Sequence, residues 1–99
     1  MAFPPPRIVG HSAEQMKLMA YAALEEGQRK MAGDSLAGRG PRLICGLAIL
    51  KDKDDGYYLF NCDGDWRVMF DTNHETFEEA MRQAEFEYSG IRSKLKIVK

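Results

Sequence analysis

Apolar and polar positions alternate most clearly between Gly56 and Asp71, where the pair Asp63-Gly64 predicts a two-residue type I′ turn and a β-hairpin. That turn would set Cys62 opposite Asp65, Phe60 opposite Arg67 and Tyr58 opposite Met69 on one face. The other face would carry Asn61 with Trp66, Leu59 with Val68 and Tyr57 with Phe70, an apolar ladder suited to burial beneath a helix. Upstream, Leu43 to Leu50 is a nearly unbroken apolar run between Pro41 and a charged turn at Asp52–Gly56, which predicts a strand covered on both sides. Leu43, Cys45, Leu47 and Ile49 would point one way, and Ile44, Ala48 and Leu50 the other.

Two helices are predicted around these strands. Ser12 with Gln15 three residues on has the capping-box pattern, and Met16, Met19, Ala20, Ala23, Leu24 and Met31 follow at three- and four-residue spacing, so a helix is expected over 13–31. Gly27 would loosen it. Thr76 with Glu79 repeats the capping pattern, and Phe77, Ala80, Met81, Ala84 and Tyr88 form one stripe that ends before Gly90, predicting a helix over 77–89. Beyond it, Leu95 and Ile97 alternate with lysines and offer a short C-terminal edge strand. The expected architecture is a single α+β domain spanning residues 1–99: helix, three-stranded antiparallel meander, helix. Pro4-Pro5-Pro6 marks residues 1–11 as a mobile proline-rich arm, and the glycines of residues 33–42 mark a flexible connection.

In this arrangement one sheet face lacks a cover. Tyr58, Phe60 and Met69, with Ile44, Ala48 and Leu50, would need the first helix, the C-terminal segment or a second copy of the chain to exclude water. Arg67 lies on that face, and Phe86 falls half a turn from Phe77, away from the buried stripe. Tyr58, Phe60, Arg67, Met69 and Phe86 are therefore the candidate partner-binding residues, and a non-catalytic interaction or assembly module acting as a homodimer is the leading functional expectation.

Composition fits one soluble domain: 99 residues, 44% hydrophobic and 29% charged, with a net charge of −1. The charge is unevenly placed. Residues 52–87 hold eleven acidic and three basic side chains, whereas residues 88–99 hold four basic and none acidic. An acid block repels phosphate backbones and suits a partner with a basic surface. The start of the chain lacks the basic and apolar run of a secretory signal, and no run of ~18 apolar residues is present, so a cytoplasmic protein without a membrane span is expected.

Chemical motifs are sparse. Asp71, His74 and Glu75 sit between the hairpin and the second helix, where a carboxylate could orient an imidazole, and a pocket near His74 is the alternative reading as a small-ligand binder or enzyme. A third partner is missing. Cys45 and Cys62 read as buried thiols, the Gly38 and Gly40 region lacks the context of a phosphate loop, and Lys51–Gly56 is out of phase with a calcium loop. No metal or cofactor is called for.

The pattern Gly56-Tyr57-Tyr58-Leu59-Phe60, Cys62-Asp63, Trp66, Asp71-Thr72, His74, Thr76, Glu78-Glu79-Ala80 and Gln83-Ala84-Glu85-Phe86-Glu87-Tyr88 resembles one that recurs in small bacterial proteins of uncharacterised function. The resemblance covers the central third of the chain and implies a bacterial cytosolic origin and a hairpin-plus-helix unit, with no activity to carry over. The expected element order also matches the double-stranded-RNA-binding fold. Its lysine cluster at the last helix is replaced here by Glu75, Glu78 and Glu79, which argues against nucleic acid.

Overall fold

The computed structural model describes residues 5–32, 42–54 and 56–98. Among the described residues seven strands and one α-helix form an α+β fold: β1 (Lys17–Ala23), β2 (Lys30–Ala32), β3 (Arg42–Ile44), β4 (Gly46–Lys51), β5 (Tyr57–Cys62), β6 (Val68–His74), α1 (Phe77–Glu87) and β7 (Lys96–Ile97). Five strands make an antiparallel sheet in the order β6-β5-β4-β1-β7, while β2 and β3 form a separate two-stranded ribbon. The expected meander is β4-β5-β6, and the expected tail strand is β7, which pairs Ile97 with Ala20 of β1.

The helix expected over 13–31 is absent. A single 3-10 turn occupies Ala13–Gln15, Ser12 makes no side-chain cap, and the chain then extends as β1 against β4. The element order is therefore not helix, meander, helix, and the likeness to the double-stranded-RNA-binding order falls with it. Tertiary context overrides helix propensity here, because β4 is buried along its length and needs a second neighbour beside β5.

The hairpin register also differs. Asp63 Oδ1 accepts hydrogen bonds from the backbone N–H groups of Asp65 and Arg67 at 2.9 and 3.0 Å, which widens the turn to a five-residue loop, Asp63–Arg67. Cys62 then pairs with Val68 and not Asp65, Phe60 with Asp71 and not Arg67, and Tyr58 with Asn73 and not Met69. Met69 is left unpaired in a bulge, which redirects it to the opposite face from the one expected. Met19 is bulged out of the β1–β4 ladder in the same way, and it also packs into the helix-side core.

Both faces of the sheet are covered within the chain. On one side Leu47, Ile49 and Leu59 pack with Ala20, Ala22 and Met69 beneath Ala80, Ala84 and Tyr88 of α1, joined by Ile91. Ile44 belongs to this side too, because the run from Leu43 to Leu50 breaks at Cys45 into two strands. On the other side Ala48, Leu50, Phe60 and Cys62 lie beneath Ile8, Ala13, Met16 and Trp66. Residues 8–16 thus supply the cover that the sequence left open. Val9 is bound to the start of β6 by a parallel bridge, with its N–H donating to Trp66 O at 3.0 Å and its carbonyl accepting from Val68 N–H at 2.9 Å. The glycine-rich connection at 33–41 and residues 1–4 of the arm lie outside the described residues.

α1 begins as expected. Thr76 Oγ1 accepts from the Glu79 N–H at 3.1 Å, and Glu78 and Glu79 sit at the positive end of the helix dipole. It ends in a reversal at Gly90, where φ is +85, held by the Glu85 carboxylate accepting from the N–H groups of Gly90 and Arg92. Those donors, Gly90 first, hold the Glu85 carboxyl below its ordinary range.

Trp66 lies directly on β4. It adopts a left-handed backbone, φ +61, stacks edge-on with Tyr21 and covers Gly46 so closely that a Cβ there would sit 2.6 Å from its Cη2. Gly46→Ala should therefore lift the indole off the sheet and lower stability by about 1–3 kcal/mol, read as an earlier urea midpoint and a red shift of tryptophan emission. An unchanged midpoint and spectrum would show that the contact does not constrain the fold.

Candidate functional site

The residues expected to do chemistry do not converge. Asp71 lies on the sheet face of its partner Phe60, whereas Thr72 and His74 lie on the helix side with Leu59 and Tyr57. His74 Nε2 shares a 2.7 Å hydrogen bond with Thr72 Oγ1, Glu75 is exposed beyond the strand, and Asp71 faces His11 at 4.0 Å. Among the described residues no group of three His, Cys, Asp or Glu side chains could hold a metal ion.

The expected partner-binding residues are also divided. Phe60 and Met69 are 0% and 2% exposed, buried in the two cores. Tyr58 is half-buried and tilts against Phe60, Arg67 is exposed in the β5–β6 loop, and Phe86 is 85% exposed on α1. Tyr58 and Phe86 thus stand on opposite sides of the sheet. The basic tail is tied down in part, since Arg92 pairs with Glu78 at 2.6 Å and Lys94 with Glu25 at 2.7 Å.

A different cluster draws the chain together. Asn61 is a polar residue on an otherwise apolar stretch of β5, and only 6% of it is exposed. Its Oδ1 accepts from Tyr88 Oη at 2.8 Å and its Nδ2 donates to Glu87 Oε1 at 3.3 Å, while Gln83 Nε2 donates to Glu87 Oε2 at 2.6 Å. Lys30 Nζ donates to the Glu87 carbonyl at 2.7 Å and stands 4.5 Å from the centre of the Tyr88 ring. The last carbonyls of a helix carry partial negative charge, so an aromatic face, a helix C-terminus and a carboxylate together make a seat for a cation.

This seat opens into a cleft of about 270 Å³ between β2, β6 and the end of α1, lined by Lys30, Met31, Ile44, Asn61, Phe70, Thr72, Glu87 and Tyr88. Other clefts on the described surface measure 250–270 Å³, so size does not single it out. Its composition does. Phe70 and Met31 are 38% and 63% exposed at a rim whose floor is a satisfied polar network. The sequence signal for it was Asn61 itself, a polar side chain at a position whose neighbours are buried.

Comparison with protein-family models, curated proteins and solved structures finds no match to the chain. Among the described residues, no helix is long and apolar enough to cross a membrane.

Burial, with the Glu87 charge behind it, pushes the Tyr88 phenol up to about 12 from 10.0. Burial, then the Asp63 charge, pushes the Cys62 thiol up to about 12 from 9.0. Both groups stay neutral in the folded chain at pH values where the unfolded chain would ionise them. Their contribution to stability is therefore complete below pH 9 and is lost as pH rises from 9 to about 12. Cys62→Ala should flatten the part of that loss beginning at pH 9, and Tyr88→Phe the part beginning at 10, in urea midpoints measured against pH. A pH dependence identical in all three proteins would contradict the assignment.

Proposed function

We propose that the chain is a non-catalytic protein-interaction module that takes an extended segment of a partner along the outer edge of β6. What supports this reading is the state of that edge. β6 ends the sheet order, and among the described residues only Val9 pairs with it from outside, at Arg67. A row of unpaired N–H and C=O groups is a template for another strand, and proteins blunt such edges with lysine, proline or short length. The seven residues Val68-Met69-Phe70-Asp71-Thr72-Asn73-His74 contain neither lysine nor proline. The acid block of residues 52–87 surrounds the edge in sequence and favours a basic partner.

Catalysis near His74 has little support once Asp71 lies across the sheet. The RNA reading rested on an element order that the chain does not have. The argument for a homodimer was the need to cover Phe60, and residues 8–16 meet that need in cis. Self-association thus enters as one outcome of the test.

A photo-crosslinking amino acid in place of the exposed Asn73 should yield discrete protein adducts in cells that express the chain, and one in place of Lys53 should not. Asp71→Lys, which adds the usual edge guard, should abolish them. An adduct at the mass of two chains would identify the partner as a second copy. A folded, abundant chain that yields no adduct from position 73 would remove the reading.

A further inference from the structure

The open edge and the cation seat are parts of one surface. Phe70 and Thr72 of β6 line the same cleft as Lys30, Glu87 and Tyr88, on the helix side of the sheet. A strand added to β6 would run about 4.8 Å away from it, and every second side chain would point to that side. Such a side chain would meet the exposed Phe70 first and the seat behind it.

The seat already holds a cation, and the way it holds it is informative. Lys30 spans the cleft with its ammonium on the Glu87 carbonyl and over Tyr88. It comes from β2, a three-residue strand that among the described residues pairs only with the equally short β3. Lys30 is itself exposed, so its side chain can leave the cleft without uncovering the core. The polar floor below does not depend on it, because Asn61, Tyr88, Glu87 and Gln83 are bonded to one another.

We propose that this cleft recognises a lysine side chain carried on the partner's added strand, which takes the place of Lys30 over Tyr88. The inference rests on the strand-addition reading and specifies its partner. A lysine stem is apolar and suits Phe70, while its ammonium finds the ring face, the Glu87 carbonyl and the negative end of α1. A carboxylate would face Glu87 and the negative helix end, and an uncharged side chain would leave Lys30 in its seat, because it offers nothing to replace the hydrogen bond to the Glu87 carbonyl. The acid block steers the basic segment toward the edge.

Short blocked peptides alternating threonine and valine, with lysine, norleucine or glutamate at the centre, test this against the isotope-labelled full chain by NMR. The lysine peptide should shift the amides of residues 69–74 together with Glu87 and Tyr88, and bind about tenfold more tightly than the norleucine peptide. The glutamate peptide should not bind. Lys30→Gln empties the seat and should tighten the lysine peptide several-fold while leaving the norleucine peptide unchanged, a result that a merely structural Lys30 would not produce. Equal affinity for lysine and norleucine, no gain on Lys30→Gln, or no shift at residues 69–74 with any peptide would each overturn the lysine pocket. The strand-addition reading stands or falls separately on the Asn73 adducts, and an adduct between two copies through β6 would overturn the pocket, since β6 carries no lysine.

Discussion

The fold depends on the two-sided burial of β4. Leu47 and Ile49 face one core, Ala48 and Leu50 the other, and none of the four is more than 1% exposed. A strand apolar on both faces is stable only as the middle of a sandwich, at roughly 1.5–3 kcal/mol for each large side chain kept from water. It needs a neighbour on either edge and a layer on either side. β5 and β1 are the neighbours, α1 is one layer, and residues 8–16 with Trp66 are the other. The strand pairing of β1 follows from this demand more than from its own sequence. Ala20, Ala22 and Ala23 favour a helix in isolation, yet a helix there would leave the second edge of β4 unpaired.

The same demand explains which parts of the fold could be read from the sequence. The meander and α1 were legible because their signals are local: an Asp-Gly reversal, an apolar run and a Thr76/Glu79 cap whose hydrogen bond is present. β1 was not legible, because the bulge at Met19 breaks its two-residue alternation and leaves apolar spacings that mimic a helix. The register of β5 and β6 was illegible for a related reason. A second acceptor role for the Asp63 side chain, invisible in the pattern, enlarges the turn, puts Trp66 at φ +61 and inserts Met69. Both bulges place a methionine in the helix-side core. An unbranched, flexible side chain can fill the irregular space that an extra strand residue creates.

The candidate site was legible only in fragments. Asn61 stood out as polar in an apolar strand, and Tyr88 as the last member of the α1 stripe, but their hydrogen bond joins residues 27 apart in sequence. Lys30 lay within the stretch expected to be helical, where its side chain had no reason to reach Glu87, another 57 residues on. A buried amide with one unmet bond costs about 1–3 kcal/mol, so Asn61 is tolerable only because Tyr88 and Glu87 complete it. The network therefore ties the C-terminal turn of α1 to the end of β5, and the cleft beside it inherits a polar floor whose groups are bonded to one another.

The two edges of the sheet are treated differently, and the contrast bears on what the molecule does. At the β1 end the sheet closes with β7, only two residues long and beginning with Lys96, with Val98 N–H donating to Met19 O to finish the pairing. Short length and lysine are the common defences against unwanted strand pairing. At the β6 end the strand is seven residues long, and Val9 guards only its start. The sheet therefore ends on one side in a short strand that carries lysine, and on the other in a longer strand that carries Asp71 and no lysine, so only the first edge has the usual guards against pairing.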